Sequence, residues 1–165
     1  MTLQQIFFFV FAALTLVGGL AVVTARKLFH AALWLLLTFF GVAGLYVLLE
    51  APFFAAAQLF VYMGAIGILI IFAIMLTRGI MRQDAPRFNE QWWLAGLLAI
   101  VLLVVLGWLA WQQPWTTTAA PIREDSLHLL GLALVDPEGF ALPFEVASVL
   151  LVMALIGAAM IVKEG

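Results

Sequence analysis

Two pairs of polar residues lie within apolar runs, and they are the positions at which this sequence could support chemistry. Gln58 and Tyr62 are four residues apart in a run without charge, so a helix would place them on one face. Glu145 and Ser148, three residues apart at the start of another apolar run, share a face in the same way. Ionisable groups inside a bilayer usually face protein or water and often mark ion pathways. Both pairs are therefore candidates for a polar or proton-conducting network.

Each candidate also has a purely structural interpretation. Tyr62 could be a core tyrosine whose hydroxyl has found any convenient acceptor. Glu145 could be an interfacial carboxylate that the positive end of a helix dipole stabilises. Glu50, in the short connection Glu50-Ala51-Pro52, could join a proton path, but we favour a solvated turn carboxylate. The residues alone leave these alternatives open.

The sequence lacks the residue sets of most catalytic sites. It contains no cysteine, which excludes disulfides, thiolate metal sites and iron–sulfur ligands in this chain. Its two histidines, His30 and His128, are far apart in the sequence and form no motif for a metal or haem. A net charge of −2 offers no basic surface for a nucleic acid. No nucleophile–base pair or phosphate-binding loop is present.

The elements that must position these residues are membrane-spanning helices. The chain is 67% hydrophobic and 10% charged, whereas about a quarter of the residues of a soluble domain are charged. The run from Phe53 to Leu76 would reach about 36 Å as a helix, enough to cross a hydrocarbon core about 30 Å thick. We predict an all-α polytopic membrane protein with one domain, residues 1–165, and five spans at about 3–23, 31–49, 53–76, 92–111 and 143–162.

The third predicted span is organised differently from an ordinary lipid-facing helix. At about 100° per residue, Gly64 and Gly67 lie roughly opposite Gln58 and Tyr62. We expect the glycine side to admit a neighbouring helix closely and the polar side to meet something buried. The brief connection through Glu50 predicts an antiparallel hairpin with the second span.

Smaller features complete the expected architecture. In the second span, Gly41 and Gly44 form a small-x-x-small patch that permits close helix approach. Arg26, Lys27 and His30 form a short basic turn before that span. In the long connection before the fifth span, Leu127 to Val135 is apolar enough for a short helix along the membrane surface and too short to cross.

The distribution of basic residues predicts the orientation. If the N-terminus is outside, the outer segments contain only Arg123, and the inner segments contain Arg26, Lys27, Arg78, Arg82, Arg87 and Lys163. Cytoplasmic loops carry an excess of Lys and Arg. We therefore expect the N-terminus outside and the C-terminus inside, which places Glu50 and Glu145 near the outer face.

Two stretches resemble subunit J of bacterial respiratory complex I, the NADH–quinone oxidoreductase, whose mitochondrial counterpart is the sixth ND chain. Residues 58–76 contain Val-Tyr-Met-Gly-Ala-Ile followed by an apolar run ending in Met-Leu, and are similar to the third span of that family. Residues 142–158, which begin Leu-Pro-Phe-Glu-Val-Ala-Ser, are similar to its fifth span. The resemblance extends over essentially the whole chain.

The resemblance implies a membrane subunit of a proton-translocating enzyme, without an active site of its own, in the bacterial inner (cytoplasmic) membrane. In this family the third span can carry a π-bulge around Tyr62–Gly64. Its conversion to a regular α-helix is associated with conformational change near the quinone cavity and with the central water chain. The hypothetical proton-path or coupling residues are therefore Gln58, Tyr62, Gly64, Gly67, Glu145, Ser148 and Glu50.

The same resemblance implies where the redox groups and partners lie. Flavin, iron–sulfur clusters and quinone are expected in partner subunits. The expected neighbours are other membrane subunits, especially the quinone-site subunit and a small three-helix subunit. One alternative is a membrane subunit of a related cation/proton antiporter or membrane-bound hydrogenase. A stand-alone structural or assembly membrane protein is another.

Overall fold

The structure, a computed structural model, describes residues 2–77, 91–114 and 125–163. Within those ranges every regular element is a helix: α1 (Leu3–Thr24), α2 (Leu28–Leu48), α3 (Pro52–Leu76), α4 (Trp92–Gln112), α5 (Ser126–Val135) and α6 (Ala141–Lys163). All of these except α5 are long and apolar enough to cross a membrane. The predicted all-α class with five spanning helices is confirmed, and the orientation of the chain stays a prediction.

Small residues allow α1 and α2 to pack closely. A Cβ atom added to Gly18 or to Gly41 would lie 2.5 Å from the hydroxyl oxygen of Thr38 or Thr15, respectively, on the other helix. At Gly44 it would meet the ring of Phe11. Gly41 and Gly44 are both buried, which confirms the predicted small-residue patch and identifies α1 as the helix that it faces.

The turn between α2 and α3 has a Schellman arrangement in which Glu50 takes the position usually held by glycine. The N–H of Glu50 donates to the carbonyl of Val47, and the N–H of Ala51 donates to that of Tyr46, both at 3.0 Å. Glu50 has a φ of 54°, a left-handed conformation that costs an L-residue about 1–2 kcal/mol. Pro52 then starts α3, where its missing N–H matters least.

The basic turn before α2 is shorter than we predicted. Arg26 and Lys27 lie between the helices, but His30 belongs to the first turn of α2, which begins at Leu28 rather than at Ala31. The carbonyl of Lys27 accepts a hydrogen bond from the N–H of Ala31 at 3.0 Å. The helix therefore begins directly after the two charged residues. The prediction placed its start too late because it took the first residue of the uninterrupted apolar run as the first residue of the helix.

Residues 119–165 form a compact unit distinct from residues 1–118. In this C-terminal unit α5 packs on α6, and α5 confirms the short helix predicted over Leu127 to Val135. The connection is closed by the N–H of Phe140, which donates to the carbonyl of Ala133 at 2.9 Å. Helix α6 begins at Ala141, so that Pro143 lies in its first turn.

Candidate site in the third helix

Helix α3 changes its hydrogen-bonding pattern along its length. It is α-helical over Pro52–Ala57, π-helical over Gln58–Ile66 and α-helical again over Gly67–Leu76. The predicted bulge around Tyr62–Gly64 lies inside the π-helical segment. Such segments are rare, mostly a single turn long, and frequent at functional sites.

The π-helical segment overturns the expected arrangement of faces. Tyr62 and Gly67, predicted to lie on opposite sides of the helix, both contact α2, Tyr62 at Phe39 and Gly67 at Leu36. Bonds from residue i to i+5 place an extra residue in each turn. One extra residue rotates everything after it by about 100° relative to an uninterrupted α-helix. The prediction was wrong because it applied the α-helical period across a segment that does not obey it.

Three contacts between α2 and α3 define how the two helices run. The rings of Tyr46 and Phe54 stack with centroids 5.8 Å apart. The rings of Phe39 and Tyr62 meet edge-on, also at 5.8 Å. Farther along, Leu36 of α2 lies against Gly67 of α3. Since the residue numbers fall along α2 as they rise along α3, the predicted antiparallel hairpin is confirmed.

The two glycines of α3 have different surroundings. A Cβ atom on Gly67 would overlap the Cδ2 atom of Leu36, and therefore Gly67 allows the close approach to α2. A Cβ atom on Gly64 would meet only the carbonyl oxygen of Leu59, in its own helix, at 3.3 Å. The expected tight helix contact is thus present at Gly67. At Gly64 no other described helix takes that place, and the expectation of a close neighbour there stays a prediction.

The polar groups of α3 are held near α2 without being joined to each other. The side chain of Gln58 is only 7% exposed, whereas Tyr62 is 47% exposed. Among the described residues, no side-chain hydrogen bond involves the Gln58 amide or the Tyr62 hydroxyl. No side-chain nitrogen or oxygen there is both fully enclosed and unpaired. Both groups can therefore bond to water or to a neighbouring chain.

Glu145 and Ser148 lie together in the C-terminal unit, as their spacing predicted. Both line a cavity of about 260 Å³ between α5 and α6. The Ser148 hydroxyl donates to the carbonyl of Phe144 at 3.0 Å, so its oxygen remains able to accept a hydrogen bond. Glu145 is exposed. The pair can thus offer acceptors to water in this cavity, and its role in a proton path stays a prediction.

Sequence reasoning missed two features of the site. It did not identify Leu36 and Phe39 as the residues of α2 that face the middle of α3, because that pairing depends on how the helices dock. It also did not foresee the left-handed backbone of Glu50, for which glycine would have been the usual signal. No cluster of His, Cys, Asp or Glu suited to a metal occurs in the described ranges.

The profile of one protein family matches most of the chain. Residues 18–161 match the family described as NADH-ubiquinone/plastoquinone oxidoreductase chain 6. The chain belongs to this family. Every candidate residue, from Glu50 to Ser148, lies inside the matched range, so the chain 6 family includes both the hairpin of α2 and α3 and the start of α6.

Several curated relatives resemble this chain over nearly its full length. It is 36% identical to NAD(P)H-quinone oxidoreductase chain 6 of Leptolyngbya boryana, over 98% of this chain and 80% of the relative. It is 36% identical to F(420)H(2) dehydrogenase subunit J of Methanosarcina mazei, over 98% of this chain and 92% of the relative. It is 34% identical to NADH-quinone oxidoreductase subunit J of Rhodobacter capsulatus, over 96% of this chain and 81% of the relative. The names of these relatives specify different electron donors.

Proposed function

We propose that this chain is a membrane subunit of a proton-translocating quinone oxidoreductase and that α3 couples quinone reduction to proton transfer. The observation that carries the proposal is the π-helical segment Gln58–Ile66. It contains both polar residues of the span and the glycine at position 64. The matching family and the names of the relatives support the parent enzyme.

The coupling step would be a change of α3 between π-helical and α-helical forms. Removing the extra residue of the π segment from the turn rotates the helix beyond it by about 100°. Gly67 would then move away from Leu36, and the segment carrying Gln58 and Tyr62 would change its relation to α2. Polar groups would enter or leave a water chain as a result. A bias of about 1.4 kcal/mol between the two forms changes their ratio tenfold.

The exposed apolar helices support the proposal that the chain works within an assembly. None of the residues of α4 or α6 is buried by the described part of the chain. Apolar surfaces of this extent mark contact with lipid or with other proteins. We place the chain beside the quinone-site membrane subunit and a small three-helix subunit, in the bacterial inner membrane with its N-terminus outside. Flavin, iron–sulfur clusters and the quinone belong to the partners in this proposal.

The proposal is tested by variants that bias α3 towards one form. Gly64→Val adds a branched side chain beside the Leu59 carbonyl oxygen, from which even its Cβ atom would lie only 3.3 Å away. Deletion of Phe60, which is 79% exposed, removes one residue from the π segment and favours a continuous α-helix. Deletion of Leu103, 74% exposed in the middle of α4, is the control for a one-residue deletion in a spanning helix.

The readouts are quinone reduction and proton pumping in membranes, normalised to the amount of assembled complex. We expect both to fall in the two α3 variants while the donor is still oxidised with an artificial acceptor. Normal pumping by fully assembled complex with either α3 variant would show that α3 is only a scaffold. If the purified chain instead co-migrates with an antiporter set and no flavin, the antiporter alternative is correct.

A further inference from the structure

A groove of about 480 Å³ lies where the start of α1 meets the end of α2. This volume is within the range of about 300–1,000 Å³ that is typical of small-molecule sites. Phe8 and three leucines of α2, Leu45, Leu48 and Leu49, form its apolar part. None of its lining residues belongs to the π-helical segment of α3 or lines the cavity beside Glu145.

The other end of the groove is polar and neutral. It is lined by Thr2, Gln4 and Gln5. The Gln5 side-chain oxygen accepts a hydrogen bond from the Thr2 N–H at 3.0 Å, and the Gln4 side-chain nitrogen donates to the carbonyl of Leu48 at 3.5 Å. These bonds use neither the Thr2 hydroxyl nor the side-chain nitrogen of Gln5. The groove can therefore offer O–H and N–H donors to an anionic oxygen.

One carboxylate comes directly after the lining residues in the chain. Glu50 directly follows Leu49 in the chain, is exposed, and is held in a left-handed conformation by the turn that ends α2. Strained backbone of this kind persists only where the surrounding structure fixes it. The turn thus fixes the backbone from which the Glu50 side chain extends, one residue beyond Leu49 of the groove lining.

The order of these groups matches the cross-section of a membrane. The helix ends carry the donors and the carboxylate, and the apolar lining runs along the flanks of two helices that are long and apolar enough to span a bilayer. Hydrocarbon lies along such flanks and head groups lie at their ends. A molecule with an apolar chain, an anionic group next to it and a cationic group beyond complements this order of groups.

We propose that this groove binds an aminophospholipid, with its ammonium at Glu50, its phosphate at Thr2 and Gln5, and an acyl chain against Phe8 and the leucines. The lipid belongs to the leaflet on the side where α1 begins. An anionic phospholipid lacks the cation and is disfavoured by Glu50. A peptide from another subunit could fill the groove only if it had an apolar side chain, an anionic group and a cationic group in the same order. The experiment below distinguishes such a peptide from a lipid.

The test uses the intact complex in nanodiscs that contain a phospholipid with a photoreactive group on its acyl chain. Phosphatidylethanolamine and phosphatidylglycerol are compared, and the labelled peptides of this chain are identified by mass spectrometry. We expect residues 2–8 and 45–50 to be labelled about two- to fivefold more by phosphatidylethanolamine, the upper part of the range that one exposed ion pair of about 0.2–1 kcal/mol gives. Glu50→Gln should abolish that preference, and Glu138→Gln, at an exposed carboxylate in the C-terminal unit, should leave it unchanged.

A second pair of variants tests the apolar part. Leu49→Trp at the rim of the groove should reduce labelling by both lipids, whereas Leu16→Trp, at a 73% exposed position of α1, should not. Equal labelling by the two lipids would overturn the proposal, and so would a preference that survives Glu50→Gln. Absence of label from these peptides, with crosslinks from position 49 to another subunit, would show that a protein fills the groove.

Discussion

The ring of Tyr62, in the π-helical segment of α3, lies edge-on to the ring of Phe39 in α2, with an interplanar angle of 71°. This contact ties the middle of the π segment to its neighbour, although Tyr62 remains about half exposed. The ring therefore has a packing role, while no described residue takes up the hydroxyl. The structural and functional interpretations of Tyr62 apply to different atoms of one side chain.

Tyr62→Phe and Tyr62→Leu should separate these two roles. The first keeps the edge-on ring pair, so we expect normal assembly with a partial loss of pumping per complex. The second removes an aromatic pair worth about 0.5–1.5 kcal/mol beyond its buried area, so the amount of assembled complex should also fall. Blue-native gels and pumping assays measure the two effects. Poor assembly of Tyr62→Phe would show that the hydroxyl itself holds the fold together.

Gly67→Ala should destabilise the contact between α2 and α3, because the added methyl group overlaps the side chain of Leu36. Overpacking of this kind costs about 1–3 kcal/mol. Leu36→Ala removes the overlapping atoms, so the double variant should recover most of the assembled complex that Gly67→Ala loses. Thermal stability of the purified complex gives the coupling between the two positions. If the stability losses of the two single variants simply add in the double variant, the strain does not arise from the contact between positions 67 and 36.

Long-range features of the fold could be predicted from apolar runs and connections, whereas the site geometry could not. Five runs define five helices, and the brief link at Glu50 determines a hairpin. Nothing in the composition of Gln58–Ile66, which has neither proline nor charge, distinguishes π-helical from α-helical bonding. Resemblance to a known family supplied the expectation of a π-bulge in this segment. The glycines were still assigned to the side opposite Gln58 and Tyr62, because the α-helical period was applied to the whole span. The partner of Gly67 depends on docking, which local sequence does not specify.

Two adjacent glycines in α1 provide a matched comparison for the contact with α2. A Cβ atom at Gly18 would lie 2.5 Å from the Thr38 hydroxyl oxygen, whereas nothing lies within 4 Å of one at Gly19. Alanine is better than glycine in a helix interior by about 1 kcal/mol, so Gly19→Ala should be neutral or stabilising. Gly18→Ala should lower the melting temperature of the complex. Equal effects would mean that α1 and α2 are not in this contact within the assembly.

The orientation is tested with reporters fused to the full chain. Since basic residues are concentrated on one side, a reporter after Gly165 should be cytoplasmic and one inserted near Thr117 should be external. Alkaline phosphatase and green fluorescent protein report the two sides with opposite sensitivity. The reverse pattern would contradict the predicted orientation, and two reporters on the same side would contradict the number of spans. Positions 117 and 165 lie outside the described residues.

Glu50 allows the backbone and the carboxylate of one residue to be tested separately. Glu50→Gly relieves left-handed strain of about 1–2 kcal/mol and loses about 0.5–1 kcal/mol through the greater freedom of glycine in the unfolded chain. We therefore expect the complex to be as stable as the wild type or slightly more so. Glu50→Val should assemble poorly, because a β-branched residue is a genuine outlier at positive φ.

With the fold intact, pumping by Glu50→Gly reports on the carboxylate alone. We expect pumping per assembled complex to be normal, since an exposed turn carboxylate lies in contact with water and not in a buried path. Thermal unfolding and pumping assays on the same preparations provide both measurements, with Glu50→Gln as the variant that keeps the side-chain shape. If Glu50→Gly and Glu50→Gln both assemble fully and both lose pumping, then Glu50 belongs to the proton path and the solvated-turn interpretation is wrong.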